Sequence, residues 1–399
     1  MAVSEQLAER FRANHELLVG ARDRLQAMVD AGTASADQRK RLDTVKELLV
    51  PVKETAVDAA GNVVEVERER QFLKVDPEGK GRAIEVLGDL EHAKHLAVVV
   101  PGMGNSLETF RGQADRGELI RQEAGPGTAA VVWFDYDSPQ GLLEAASKEA
   151  AIDGGPRLAE CLDELDELKE DEADVTVVAH SYGTDVAAQA VMESGARPTR
   201  LVMTGSPGIE KYVDEAADFV QPPTRLFTER APGDYVSYSE WHGPDPATFP
   251  DAIRMATADP RGEDPVSVHW HNEYYRQNSE ALRNVGRVVR GDLGAITTTD
   301  TDRGEETRLA WGVPLNKASH VVSSLYNGVT HNHHPPAPDG VTGHDGDDRA
   351  AVLDGVAAAY GGVAAPSGPS RASAASAVAQ VKASVAARPG NEQSKGPRR

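Results

Sequence analysis

Val175-Thr176-Val177-Val178 runs without a break into Ala179-His180-Ser181-Tyr182-Gly183, and a helix-forming stretch, 184–192, starts at the next residue. No length is left for a loop. A strand that turns directly into a helix brings the two elements close together, and small residues two positions either side of Ser181 make that approach sterically possible. Such a turn holds the serine hydroxyl out at the end of a sheet, the arrangement of a nucleophile elbow. The pattern wants glycine at its first position. Ala179 stands there instead, and a methyl group still lets strand and helix meet.

The same alternation of strand and helix recurs along the chain. Apolar runs at 71–75, 83–87, 96–100 and 129–134 read as strands, and Leu96-Ala97-Val98-Val99-Val100 is nearly continuous, as expected of a parallel strand covered on both faces. A long helical stretch at 141–169 follows, then the 175–178 strand, the elbow and its helix, a strand at 200–204, a helix near 212–219 and a strand at 224–228. This order predicts a doubly wound, mostly parallel sheet. Ahead of it, residues 1–50 read as a helical hairpin. Leu18, Ala21, Leu25 and Met28 share one face, Leu42, Val45, Leu48 and Leu49 another, and Ser35 caps the second helix after the break at 32–36. The hairpin is expected to pack on the catalytic domain, 51–292, or to join an oligomeric partner. Threonine and acidic residues, then Gly, Pro, His and Asp, mark 293–360 as a weakly structured linker. The Ala/Ser/Pro-rich basic stretch 361–399 is expected to be a disordered tail.

With 399 residues, 40% of them hydrophobic, the chain has enough apolar material for a sizeable core. Its formal charge of −21 opposes binding to nucleic-acid phosphates. Cys161 is the only cysteine, so no intramolecular disulfide forms, and its neighbours Leu158, Leu162 and Leu165 predict a buried thiol. The first residues, MAVSEQLAER, hold no signal-peptide core and no apolar run is long enough to span a bilayer, which makes the cytoplasm the default and leaves non-classical export open.

A serine hydroxyl is a weak nucleophile at neutral pH and needs a histidine to take its proton and a carboxylate to orient that histidine. In the order serine, acid, histidine, Asp234 is the leading acid, on a turn after the 224–228 strand, with Asp245 and Asp264 as rivals. For the histidine, His242, His269 and His271 all lie between Asp234 and the end of the domain, and His271 opens a segment just before a helical run ending near 289. His180 adjoins the nucleophile too closely to be its base. Two backbone donors must hold the oxyanion. Tyr182 N–H supplies one, and Met103, in Pro101-Gly102-Met103-Gly104 after the 96–100 strand, supplies the other. No cofactor is expected: that loop lacks the Gly-Lys-Ser/Thr ending of a phosphate loop, and His331, His333, His334 and His344 sit in a Pro/Gly-rich stretch without metal-ligand spacing. Tyr235, Tyr238 and Trp241 are candidates to line an acyl site.

Several blocks together carry a family resemblance: Phe72-Leu73-Lys74-Val75-Asp76-Pro77 with Arg82-Ala83, Gly88-Asp89-Leu90, Val100-Pro101-Gly102-Met103-Gly104, Trp133-Phe134-Asp135-Tyr136-Asp137-Ser138-Pro139, the elbow, Gly205-Ser206-Pro207-Gly208, Ala231-Pro232-Gly233-Asp234, His242-Gly243-Pro244-Asp245-Pro246 and His271-Asn272-Glu273-Tyr274-Tyr275. Over 70–291 the chain resembles an uncharacterised α/β-hydrolase family, first defined as a domain of unknown function and found chiefly in high-GC Gram-positive bacteria. It departs from that family at Ala179, for glycine, and Asn272, for serine. The resemblance implies an α/β-hydrolase fold and Ser181, Asp234 and His271 as a catalytic triad. The leading expectation is therefore a serine hydrolase acting on a small-molecule or lipid-like acyl ester. A catalytically silent binding scaffold is the alternative from another class, and thioesterase or peptidase chemistry uses the same triad.

Overall fold

The computed structural model describes residues 3–57, 63–169, 172–259, 261–263, 266–268 and 270–299. It opens with two helices, α1 (Val3–Asp30) and α2 (Ala36–Leu48). Ser35 caps α2 in a reciprocal capping box with Gln38, which satisfies two amides that the first turn would otherwise leave bare. Leu18 and Ala21 of α1 and Leu42, Val45 and Leu48 of α2 are buried, whereas Met28 at the far end of the apolar stripe is exposed.

A two-stranded antiparallel ribbon, β1 (Val52–Val57) and β2 (Val63–Arg68), comes next; periodicity alone did not predict it. The main sheet then builds up in chain order. Its elements are β3 (Gln71–Asp76), β4 (Arg82–Leu87), β5 (His95–Val100), α3 (Phe110–Ala124), β6 (Thr128–Phe134), α4 (Leu142–Ala145), α5 (Glu149–Leu168), β7 (Asp174–His180), α6 (Gly183–Met192), β8 (Arg200–Thr204), β9 (Arg225–Glu229), α7 (Tyr235–Ser239), β10 (Ile253–Met255) and α8 (Glu280–Val289). In space the eight strands run β10-β9-β8-β7-β5-β6-β4-β3. β4 is antiparallel to both neighbours and every other pairing except β3–β4 and β4–β6 is parallel. The chain has the α/β-hydrolase fold, with the helical hairpin ahead of it.

The central strands are buried along nearly their whole length. Parallel strands with both faces covered need such apolar runs. α3 packs with α8 and α5 with α6 to supply the two covers. The approach is close enough to demand glycine: a Cβ at Gly155 of α5 would lie 2.6 Å from Gln189 Cβ of α6, and one at Gly286 of α8 would lie 2.7 Å from the Glu123 side chain of α3. Cys161 is buried in α5 and burial pushes its thiol up to about 12.

Two expected helices differ. The stretch 141–169 is broken between α4 and α5, where the Ser147 carbonyl accepts the Tyr182 hydroxyl at 2.7 Å instead of continuing a helix. Residues 212–219 hold only a 3₁₀ turn, Ala216–Asp218, because carboxylates take the local amides: Asp218 those of Asp214 and Glu215, Asp251 those of Ala216 and Ala217. No helix among the described residues is long and apolar enough to cross a membrane. The expected tail 361–399, most of the linker 293–360 and the histidine cluster 331–344 lie outside the described residues.

Candidate active site

From β5 the chain passes to β6 on one side, then returns across β5 to β7 on the other, so the strand order reverses between β5 and β7. A crevice forms beyond the carboxyl ends of strands at such a switch point. Both segments singled out in the sequence emerge there: Pro101-Gly102-Met103-Gly104 from β5, Ser181 from β7. They touch. A Cβ at Gly102 would lie 2.7 Å from Ser181 Cβ, and one at Gly183 would lie 2.6 Å from the Val100 carbonyl, so both positions need glycine. Ser181 itself takes φ 55°, a left-handed conformation that costs a non-glycine residue about 1–3 kcal/mol and that the surrounding strand and helix impose. Ala179, in contrast, is ordinary buried strand, and its methyl is accommodated.

Three side chains from separate segments converge. His271 Nε2 lies 2.8 Å from Ser181 Oγ, and His271 Nδ1 lies 2.9 and 3.1 Å from the two oxygens of Asp234. All three are buried. Asp234 follows β9 and caps α7, its Oδ1 accepting the N–H groups of Val236 and Ser237. Its Oδ2 accepts the hydroxyls of Tyr274 at 2.5 Å and Ser237 at 2.9 Å. Burial alone would raise this carboxyl. The charge and hydrogen bond of His271 and the two hydroxyls outweigh it, holding the group down at about 2. Asp234 is therefore a carboxylate, and a carboxylate only accepts. Nδ1 of His271 then carries its proton toward Asp234, and Nε2 is left to accept from Ser181.

The remaining histidines have other work. The His180 ring sits 4.7 Å from that of His271, and its Nε2–H donates to the His271 carbonyl at 2.7 Å. Burial and the neighbouring His271 and Arg116 push its pKa well below the ordinary value, so it is neutral. His242 lies on the cleft wall with Nδ1 2.6 Å from Asp185 and Nε2 2.8 Å from the Ala145 carbonyl; both nitrogens are engaged away from Ser181. Asp245 caps the 3₁₀ turn Pro246–Thr248 and pairs with Arg230, and burial pushes its carboxyl up to about 6. The rivals Asp264 and His269 lie outside the described residues.

The Gly102 carbonyl accepts from Tyr136, Ser138 and Asn105. Because a trans peptide points its C=O and N–H in opposite directions, anchoring that oxygen aims the Met103 N–H away from the anchors. Neither the Met103 nor the Tyr182 amide is taken up by a turn, loop or cap hydrogen bond among the described residues. The Ser181 N–H is occupied, donating to the Thr204 carbonyl at 3.0 Å. Met103, Ser181 and Tyr182 line one cleft with Leu142, Ala145, Ala146, Pro207, Ser239, Trp241 and His242. Trp241 thus reaches the cleft, whereas Tyr238 stacks under the Arg230 guanidinium. Tyr274, Ser237 and the His242–Asp185 pair were not singled out from the sequence. Tyr274 was within reach, three residues after His271, but nothing in its spacing marks its hydroxyl as bonded to Asp234.

Residues 76–242 match the model of a family described as alpha/beta hydrolase. Among curated proteins, an uncharacterised protein of Mycobacterium tuberculosis is 29% identical over 254 residues, which cover 55% of this chain and 38% of that protein. An uncharacterised protein of Mycobacterium bovis is 27% identical over 139 residues, 31% of this chain and 51% of that protein. The matched region thus spans about half or less of those relatives' length. Among solved structures, an arylesterase shares 12% identity at a TM-score of 0.37, covering 68% of this chain and 97% of its own. An esterase of Pyrobaculum calidifontis shares 14% at 0.37, covering 69% and 98%.

Proposed function

We propose that the chain, whose residues 76–242 match an alpha/beta hydrolase family, is a serine hydrolase that cleaves a carboxylic ester through Ser181, His271 and Asp234. The observation that carries this reading is the unbroken line of hydrogen bonds from Asp234 through His271 to Ser181 Oγ, 2.9 and 2.8 Å in length. A non-catalytic scaffold has no use for a strained serine aimed at a histidine whose tautomer a buried carboxylate fixes.

Ser181 Oγ attacks the ester carbonyl while its proton passes to His271 Nε2, and the imidazolium that results is stabilised by Asp234, which stays ionised. Negative charge moves to the carbonyl oxygen, where the Met103 and Tyr182 amides receive it. When the tetrahedral intermediate collapses, the C–O bond to the alcohol breaks and the alcohol leaves with the proton from Nε2. Water then repeats the sequence on the acyl-enzyme, giving the acid and restoring the serine. Every step is carried by side chains and amides of this chain. The apolar lining of Met103, Leu142, Ala145, Ala146, Pro207 and Trp241 suits the acyl side of a small ester.

A fluorophosphonate probe followed by peptide mapping tests the reading. The expected result is one adduct, on Ser181, in folded protein, with ester hydrolysis abolished in Ser181→Ala. Turnover that survives Ser181→Ala would overturn it. A series of acyl esters with matching thioesters and amides, run against the same variant, gives the bond type and chain length.

A further inference from the structure

Tyr274 is fully buried, and its hydroxyl stands between two groups from the loop after β9. The Ala231 N–H approaches it at 2.9 Å, and Asp234 Oδ2 lies 2.5 Å away. An amide N–H only donates, so it occupies a lone pair of the hydroxyl, and the single phenolic proton goes to the carboxylate. The direction of the bond is therefore fixed by its partners. Burial and the adjacent carboxylate hold the phenol well above its ordinary range, so it remains a donor wherever the enzyme works. His271 and Tyr274 lie in two successive turns, the first closed by Glu273 N–H on the Trp270 carbonyl and the second by Arg276 N–H on the Glu273 carbonyl. One short segment thus reaches Asp234 twice, once through the imidazole and once through the phenol. Gly205 leaves room for this: at φ 60°, a Cβ there would lie 2.9 Å from both Asp234 Oδ2 and Tyr274 Cε2, and 3.1 Å from His271 Cε1.

We propose that Tyr274 is a positioning residue of the reaction assigned above, setting through its hydrogen bond to Asp234 how strongly the carboxylate holds the His271 imidazolium. The inference rests on the serine-hydrolase reading. By drawing charge from Oδ2, the phenol keeps Asp234 from binding the imidazolium too tightly, and by fixing the carboxylate plane it keeps His271 Nε2 on Ser181. Ser237 acts on the same oxygen from α7. Two further ionisable groups face these residues: His180 at the end of β7, which is neutral and lies against His271, and the Arg254 guanidinium, whose charge acts on Tyr274; the Arg116 guanidinium lies beyond His180, over the Tyr275 ring.

The test is a pair of kinetic cycles with an ester substrate. Tyr274→Phe removes the donor, and kcat is expected to fall on the order of tenfold with KM within about twofold, because the phenol touches no substrate. The acidic limb of the kcat/KM profile is expected to move to higher pH, since a carboxylate with one donor fewer holds the imidazolium more strongly. In an Asp234→Asn background Tyr274→Phe is expected to have no further effect on kcat. If Tyr274→Phe does not fold, 3-fluorotyrosine placed at position 274 keeps the hydroxyl as a stronger donor, and the limb then moves to lower pH. An unshifted limb in whichever of these variants folds, or an equal loss of kcat in both backgrounds, overturns the proposal. Those outcomes, with Ser181 still labelled by the fluorophosphonate, sink Tyr274 alone; a wild-type protein that takes no label defeats the hydrolase reading and the proposal with it.

Discussion

Two buried histidine–carboxylate pairs of like construction flank the cleft, His271–Asp234 and His242–Asp185, with Nδ1-to-oxygen distances of 2.9 and 2.6 Å. Both histidines follow Ser181 in the chain, and both lie close enough to the elbow to touch it or its neighbour, since the His242 ring packs edge-on against Tyr182 at 5.6 Å. Their second nitrogens separate them. His271 Nε2 faces a hydroxyl that can give up a proton, whereas His242 Nε2 faces the Ala145 carbonyl, which cannot. A histidine tied to a carboxylate is thus a catalytic base only if its far nitrogen meets a proton donor. With both nitrogens spent on acceptors it is a brace, here joining α4, α6 and the loop at Pro207, whose carbonyl accepts the His242 N–H.

The contrast breaks if the two pairs respond alike to substitution. Asp234→Asn is expected to lower kcat by about 10³–10⁴ while leaving the fold intact, because the wrong tautomer then faces Ser181. Asp185→Asn is expected to keep kcat within about tenfold and to lower stability by about 1.5–3 kcal/mol, the worth of a hydrogen bond to a charged group. Steady-state kinetics and thermal melts on both variants check this directly. Gly205→Ala, which forces a methyl between Asp234, Tyr274 and His271, is expected to cost about a hundredfold in kcat, the scale of a misplacement near 1 Å. Binding of a fluorophosphonate at a slowed rate, without loss of the labelled site, is the readout.

pH sharpens the comparison between the two candidate acids, Asp234 and Asp245. Asp234 is held down at about 2, so its contribution to stability is complete above the ordinary carboxylate value and is lost as pH falls through the acid range toward 2. That loss is expected to be about 2 kcal/mol in wild type and absent in Asp234→Asn. Asp245 is pushed up to about 6, so the native state binds the extra proton and stability declines as pH rises from the ordinary value toward 6. Urea unfolding across pH 2–7 on Asp234→Asn and Asp245→Asn is expected to remove opposite slopes. The smallest effect is expected at the elbow itself: Ala179→Gly restores the usual motif, leaves kcat unchanged and costs about 1 kcal/mol or less of strand stability.

Much of this was legible in the sequence because the signals are local. Apolar runs at 96–100 and 200–204 mark strands whose burial follows from composition alone, and Ser35 announces a helix start through its own hydroxyl. Ser181 was legible for the same reason: small residues must flank a turn that tight. What escaped depends on partners far away in the chain. The role of His242 is decided by Asp185 and Ala145, 57 and 97 residues earlier. The break between α4 and α5 is stabilised by a tyrosine hydroxyl from the elbow, some 35 residues later in the chain. The order serine, acid, histidine narrowed the candidates, but choosing Asp234 over Asp245 from the residues alone rested on turn position, which both share.

The N-terminal helix has a consequence for how copies of this chain treat one another. β3 ends the sheet, and an end strand offers bare amides and carbonyls to any other strand that drifts past. α1 answers with side chains: Asn14 donates to the Phe72 and Leu73 carbonyls and accepts the Val75 N–H, while Arg10 donates to Leu73 and pairs with Glu164. A single asparagine carboxamide, with one donor end and one acceptor end, imitates a peptide of a ninth strand. Recruitment of further strands at this edge, the first step toward filaments, is opposed by α1, because an incoming strand must first displace the side chains that already occupy those groups.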